Sequence, residues 1–495
     1  MVQELYCMAD NKIWAPNLNE ALAASNSKKP LYLQIVDAMA QDIASGKLAI
    51  GEKLPPQRQL AWHLDINLST VTKAFRQAAK QQLISGEVGR GTYVLGQSAE
   101  AELFLLKQSA EQTVIDLSTH QPAKLLDKHG QDNALELAIA KLSEQAGGLS
   151  EYLDYQSPSF VAELKLAGAK WLSELGYPIS AQHCLITNTA QNALMISLMA
   201  CCQKDEVVLV NELTFPGMKA LAKQMGIKLY GVKSDHLGLV PEALALAIRT
   251  TGAKVLVSDP LYQNPTAASM NDKRIKDIKA IISREKILFI EEYVIGALSG
   301  RPPISADIQS QSIVISSFAK AISPGIRFAV IAGKHPVLTQ ISQQSHATSW
   351  QLSPLTAAIA KLWIDDGTAH ARTKAQQQEI AARFKLFATI FPSKVTTANE
   401  FTDDKVRGNT QNTEADNKKQ ANPLCSHVWL PVKQDADLVA EQLETQGVRV
   451  VPARVFAVSH HFPNAIRVSL TAAKSHKVLV KALNIIKQSG FIESI

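Results

Sequence analysis

A chain of 495 residues is too long for one ordinary core and is expected to form two or three domains. Its composition, 46% hydrophobic and 19% charged, is that of a soluble globular protein, and its net charge of +6 tolerates a polyanionic partner without requiring one. The five cysteines (Cys7, Cys184, Cys201, Cys202 and Cys425) show no CxxC and no His-rich spacing, which argues against a zinc site, and their odd number fits a reducing compartment.

The start, Met-Val-Gln-Glu-Leu-Tyr, lacks the basic end and apolar core of a signal peptide, and no apolar run is long enough to span a bilayer. The expected location is the cytoplasm, with no membrane partner and no metal. Residues 1–29 are polar and read as a flexible arm. Residues 30–96 form a punctuated unit. Tyr32, Ile35, Val36, Met39, Ala40 and Ile43 recur at helical spacing, and Gly46 ends that helix. Pro56 opens a second helix running to about Leu64, Asp65-Ile-Asn-Leu turns, and Ser69 caps a third helix. That third helix buries Val71, Ala74, Phe75 and Ala78 and leaves Thr70, Lys73, Arg76 and Gln77 outward. Two short strands follow around Gly89-Arg90-Gly91-Thr92.

Helices at a turn followed by a basic-tipped hairpin are the layout of a winged helix-turn-helix, with the third helix in the major groove. A plain helical bundle with a solvated face has the same outline. Charge does not decide, because 30–96 holds seven Lys and Arg against five Asp and Glu. The sequence does. Pro30-Leu-Tyr-Leu-Gln-Ile, Gly51-Glu-Lys-Leu-Pro-Pro-Gln-Arg, Ser69-Thr-Val-Thr-Lys-Ala-Phe and Gly86-Glu-Val-Gly-Arg-Gly-Thr-Tyr-Val together resemble the GntR family of bacterial repressors. The resemblance implies a double-stranded DNA operator as partner. It places Arg58, Thr70, Thr72, Lys73, Arg76, Arg90 and Gly91 where that family contacts DNA.

Residues 97–113 read as a linker, and 114–495 as the large domain. Seven short apolar runs alternate with helical stretches: His183–Thr187, Glu206–Val210, Lys228–Val232, Lys254–Ser258, Ile287–Glu291, Ser312–Ser316 and Phe328–Gly333. That alternation predicts an α/β fold with a seven-stranded, mostly parallel sheet, and ligands beyond the carboxyl ends of its strands. Residues 396–422 hold almost nothing apolar and read as a mobile surface insertion. After the first run comes Asn188-Thr-Ala-Gln-Asn, a helix start suited to phosphate. Later runs are followed by Phe215, by Asn264, by Glu292, and by Ser316-Ser-Phe-Ala-Lys320-Ala-Ile-Ser-Pro-Gly-Ile-Arg327. A phosphate cradle, a flat ring, an amide, a carboxylate and a lysine at one sheet edge are what a pyridine-ring aldehyde cofactor demands.

This ordered set resembles fold-type I aminotransferases and, joined to a GntR module, the MocR subfamily of regulators. The resemblance implies pyridoxal 5'-phosphate (PLP) as cofactor and a small carboxy-terminal α+β subdomain. It makes Lys320 the Schiff-base lysine. Ser317 and Arg327, with Thr189, Ala190 and Gln191, would bind the cofactor phosphate; Phe215 would stack on the ring and Asn264 would meet its phenolic oxygen. Tyr155 would reach the phosphate of a partner protomer in a homodimer, and Arg467 would clamp a ligand carboxylate. The family pattern is broken in places. Glu292 stands where an Asp faces the ring nitrogen, Ile295 where a Tyr is usual, Thr189 and Ala267 where Gly is usual, and Phe160 replaces another Gly. Tyr293 is displaced by two positions and is expected to point elsewhere. The expected function is a DNA-binding regulator whose large domain senses PLP or an amino compound and catalyses little. A working aminotransferase with an autoregulatory DNA module, and a DNA-binding dimer with a cofactor-free scaffold, are the alternatives.

Overall fold

The computed structural model describes residues 14–15, 30–44, 47–48, 52–81, 83–87, 91–94, 114–125, 132–392, 425–459 and 462–493. It divides into two compact units, Met1–Gln108 and Ser109–Ile495. Arg90, the expected linker 97–113 and the expected insertion 396–422 lie outside the described residues.

The first unit runs α1 (Leu31–Ala44), α2 (Gln57–His63), α3 (Leu68–Lys80), then β1 (Ile84–Glu87) antiparallel to β2 (Gly91–Val94). Val71, Ala74, Phe75 and Ala78 fall at the spacing of one helical stripe. All four are buried, in one core with Ile35, Val36 and Met39 of α1. Residues 52–54 run beside β2, with Leu54 N–H donating to Thr92 O at 2.8 Å and Val94 N–H to Glu52 O at 2.9 Å. Two expectations need correction. The cap of α3 is Asn67, whose Oδ1 accepts from Ser69 N at 2.9 Å. A capping side chain must stand ahead of the first helical residue; Leu68 is already helical, so Ser69 is the donor. Trp14, inside the segment read as an arm, is 8% exposed and belongs to the core of this unit. Its indole Nε1 donates to Asp42 Oδ2 at 2.8 Å. A large apolar ring with one donor gains most from such a place.

The second unit is built on β3 (Cys184–Thr187), β4 (Val207–Asn211), β5 (Lys228–Val232), β6 (Val255–Ser258), β7 (Leu288–Glu292), β8 (Ser312–Ser317) and β9 (Ala329–Ala332). Their order in the sheet is β3-β9-β8-β7-β6-β4-β5, with β9 antiparallel to both neighbours. Each strand lies within a residue of an apolar run in the sequence. The runs are continuous because both faces are covered. Leu209, Phe289 and Val314 pack on one side, and Val208, Val210, Leu288, Ile290, Ile313 and Ile315 on the other.

A smaller antiparallel sheet has the order β10 (His427–Pro431), β12 (Ala465–Ser469), β11 (Val451–Pro452). Phe384 and Phe387 of one helix (Thr368–Ile390) and Leu479 and Leu483 of another (His476–Gln488) close its core. Among the described residues no helix is long and apolar enough to cross a membrane, and no group of three or more His, Cys, Asp or Glu could hold a metal ion.

Candidate functional site

On the first unit, Arg58, Lys73 and Arg76 are exposed, and Thr70 is half-buried on α3. The Thr72 hydroxyl donates to Gln57 Oε1 at 3.0 Å, so this side chain braces α3 against α2. Gly91 opens β2, paired with Glu87.

In the second unit the chemistry-bearing residues collect at the carboxyl edge of the parallel strands and at the start of β9, which runs the other way. Thr187 pairs with Ala329, and Ala329 with Ser317, so the ends of β3 and β8 flank the entry of β9 just after Arg327. Thr189 caps the helix Ala190–Cys201, its Oγ1 accepting from Asn192 N at 2.9 Å. Gln191 Nε2 donates to Gly217 O at 3.1 Å, while Gln191 Oε1 is buried without a partner. Gly217 is required here: a Cβ would lie 2.3 Å from Phe215 Cε1 and 2.4 Å from Gln191 Oε1. Its lack of a side chain lets the Phe215 ring fold in beside Gln191. Ser317 is buried at the end of β8, and its Oγ accepts from Ala319 N at 3.1 Å. Arg327 is exposed, in left-handed backbone at φ 52°. Tyr155 is 79% exposed and packs against Trp350, ring centroids 5.1 Å apart. Arg327 and Tyr155 are thus the solvent-facing members of the expected set.

Lys320 lies in the short helix Phe318–Ala321 that leaves β8. Its Nζ donates to the carbonyl of His120, 200 residues earlier. Burial, and then the charge of Arg467, brings its amine down to about 8. Arg467 sits in mid-β12, 3% exposed. Its Nη1 donates to Asn264 Oδ1 at 2.8 Å, its Nη2 to Ser118 O at 2.5 Å, and the guanidinium lies 4.9 Å from the Phe456 ring centre. Burial lowers this guanidinium to about 10. Asn264 N–H donates to Asp259 Oδ2 at 2.7 Å.

Glu291 on β7 pairs with Ser258 on β6. The next residues, Glu292 and Asp259, thus leave neighbouring strand ends together. Burial raises Glu292 to about 7. Burial first, then the charge of Glu292, raises Asp259 well above the carboxylate range. Two buried carboxyls this close hold a proton between them more readily than two charges.

Two of the departures from the family pattern, at 267 and 295, are physically linked. Ala267, Ile295 and Cys425 form one small apolar cluster, with Tyr262 against it. Tyr293 is buried in the main core and its hydroxyl donates to Arg301 O, away from the sheet edge, as expected. His120, His427, Ser118 and Asp259 were not identified as site residues from sequence. His120 and His427 meet edge to face at 4.9 Å. No local pattern marks His120, because the strand before it is only Ile115–Asp116 and its site partners are hundreds of residues away.

These residues fit a phosphorylated pyridine aldehyde. A lysine amine with a lowered proton affinity, a ring beside a helix start, an amide and a carboxyl share one edge. Unpaired buried atoms at Gln191 and Arg467 leave hydrogen bonds for a ligand to complete.

Residues 112–486 match the family model "Aminotransferase class I and II", and residues 31–94 match "Bacterial regulatory proteins, gntR family". The chain is 27% identical over 479 residues to the HTH-type transcriptional regulator YdeF of Bacillus subtilis, covering 96% of each chain. It is 25% identical to the vitamin B6 salvage pathway transcriptional repressor PtsJ of Salmonella typhimurium, covering 67% of this chain and 74% of that one. The kynurenine aminotransferase of Pyrococcus horikoshii superposes with a TM-score of 0.65 at 19% identity, covering 80% of this chain and 95% of that one. An archaeal alanine:glyoxylate aminotransferase gives 0.66 at 20% identity, with 79% and 95% covered.

Proposed function

The chain belongs to the aminotransferase class I and II family and carries a gntR-family module in front of that domain, which makes it a transcriptional regulator of the MocR type; from that premise we propose that its large domain binds PLP and converts the arrival of an amine ligand into a change in operator binding. The observation that carries this reading is Lys320. Its amine is buried at a sheet edge and brought down to about 8, so a useful fraction is neutral at physiological pH. An amine must be neutral to attack an aldehyde. Arg467 supplies part of that shift.

PLP, when bound, supplies an electron-withdrawing ring. Thr189, Ala190, Gln191, Ser317 and Arg327 would hold its phosphate. Phe215 would cover the ring, Glu292 would hold the proton of the ring nitrogen, and Asn264 would meet the phenolic oxygen. Tyr155, exposed beside Trp350, supports a homodimer in which it serves the phosphate site of the other protomer. Ile295 contributes a methyl-bearing side chain to the Ala267–Cys425 cluster where a hydroxyl would steady the cofactor oxygen. That favours sensing over turnover. Transamination of common amino donors should stay well below a kcat/KM of about 10⁴ M⁻¹s⁻¹.

The test is spectroscopic and chemical. Purified full-length chain with added PLP should gain visible absorption, and borohydride reduction followed by peptide mapping should place the label on Lys320. A label on another lysine, or no absorption change, would overturn the cofactor reading and leave an assembly scaffold. The PLP-loaded chain should also show an altered operator affinity when an amino acid is added.

A further inference from the structure

Two large apolar side chains of the amino-terminal module stand in solvent among its described residues. Trp62 is 83% exposed near the end of α2, and Leu68 is 39% exposed as the first residue of α3. Val71, Ala74, Phe75 and Ala78 of α3 belong to the module's core, and Leu68 does not. It therefore contributes little to the fold, and its value must lie in what α3 meets. In a helix-turn-helix the first residues of the second helix reach base edges in the major groove, while the first helix crosses the backbone. Here α2 is the first helix and α3 the second. The polar groups around Leu68 are already engaged. Asn67 Oδ1 accepts from Ser69 N at 2.9 Å, and Asn67 O from Thr70 N at 2.9 Å. Thr72 lies one turn on from Leu68, on the same side of the helix, and its hydroxyl donates to Gln57 Oε1. The leading corner of α3 thus offers the groove an isobutyl group.

Resting on the regulator reading above, we propose that Leu68 is a specificity-determining residue of the module, its side chain packing on the C5-methyl group of a thymine in the operator. The base edges in the major groove carry one apolar feature, and that methyl is it. Lys73 and Arg76, exposed further along α3, pair with phosphate or with guanine, neither of which bears a methyl.

The contact removes apolar surface from water on both partners, which no polar residue at this position would do. Burial of one methyl is worth about four-fold in affinity. The ligand class is therefore duplex DNA with a pyrimidine methyl at one fixed place. A methyl on cytosine projects into the groove from the same ring carbon, so 5-methylcytosine should serve where unmodified cytosine does not.

The full-length chain, with and without PLP, selects its operator from random-sequence duplex DNA. Each thymine of that operator is then replaced singly by deoxyuridine, which removes the methyl and keeps the base pair. The wild type should lose about four-fold at one position. There Leu68→Ala should bind the thymine and deoxyuridine duplexes alike, and Leu68→Met, still apolar, should keep the wild-type difference. With a C·G pair at that position, methylating the cytosine should strengthen binding by the wild type and not by Leu68→Ala. A methyl acting through DNA shape would strengthen both. Thr70→Ser removes the neighbouring methyl of the protein, and Trp62→Ala a ring on the helix that crosses the backbone; both should keep the methyl dependence, whatever they do to affinity. Alanine is the better helix former, so the thermal unfolding of the module should not fall in Leu68→Ala. The inference is overturned if no thymine responds to deoxyuridine, if the response survives Leu68→Ala, or if it is lost with Thr70→Ser instead. Failure of the wild type to select any sequence overturns the regulator reading, and this inference with it.

Discussion

The two functional regions hold their charges in opposite ways. On the amino-terminal module Arg58, Lys73 and Arg76 stand in solvent. In the large domain Arg467 is buried and Lys320 and Glu292 are half-buried, and the proton equilibrium of each is displaced by its withdrawal from water. A polyanion is bound by exposed cations that keep their charge and release its counterions. Reaction with an aldehyde needs the reverse, an amine that gives up its charge near neutral pH. Exposure preserves charge and burial edits it, so where a chain places its lysines and arginines suits each region to a different task.

If the two regions are separable in this way, the largest effect should be all or none in one and absent in the other. Lys320→Ala should abolish the borohydride-trapped label, because the amine lowered by burial and by the charge of Arg467 is that of Lys320. Operator binding of the same variant, measured without PLP by gel shift, should equal that of the wild type. A collapse of both would mean that Lys320 holds the fold together and that the regions are not independent.

The next effect concerns pH, and its sign follows from burial. Glu292 has an ordinary value of 4.5 and is raised to about 7 in the folded chain. Glu291, which accepts from Ile304 N at 3.0 Å and Ser305 N at 2.8 Å, is also raised to about 7. Between those two values the folded chain carries more protons than the unfolded one. Stability of the large domain should therefore fall as pH rises from about 4.5 to about 7, then level off. Glu292→Gln should flatten that slope by up to about 1.4 kcal/mol per pH unit, read from urea midpoints across the window. An unchanged slope would show that Glu292 is solvated when folded.

On the exposed side the expected losses are smaller and depend on salt. Arg76→Ala or Arg58→Ala should weaken operator binding by about 1–3 kcal/mol if the side chain reads a base bidentately. If it contacts only phosphate, all sequences should weaken alike and the salt dependence should flatten. Titrations of operator and scrambled DNA at several salt concentrations separate the two. No change with either variant would remove α3 from the groove.

How much of this was legible depends on how far apart the partners lie. The seven strands were readable because each is a continuous apolar run buried on both faces. Lys320, Asn264, Glu292 and Arg467 were readable as motif positions just beyond strand ends or within the Ala-Ile-Arg-Val-Ser run. His120 and Asp259 were not. His120 depends on a carbonyl-to-lysine bond across 200 residues, and Asp259 on strand register, which places it beside Glu292. Thr72 is placed among the DNA contacts by resemblance alone, and the bond its hydroxyl donates to Gln57 has no signal in the local spacing. Sequence spacing says which face of a helix a residue occupies, not which neighbour its polar atom will find.

The smallest effect sharpens the comparison within the module itself. Serine and asparagine are both good helix caps, and Asn67 and Ser69 are two residues apart, so residue type alone cannot choose between them. Geometry can. Asn67 has φ −66° and ψ 136°, the extended backbone a cap requires, and its Oδ1 takes the free amide of Ser69. Ser69 is already inside the helix and donates its backbone N–H to that cap. Asn67→Ala should cost about 1 kcal/mol of module stability, while Ser69→Ala should cost a few tenths at most, since alanine is the better helix former. The losses should appear in the thermal unfolding of the amino-terminal transition and leave PLP absorption untouched. Equal losses from the two variants would return the cap to Ser69 and move the start of the recognition helix by two residues.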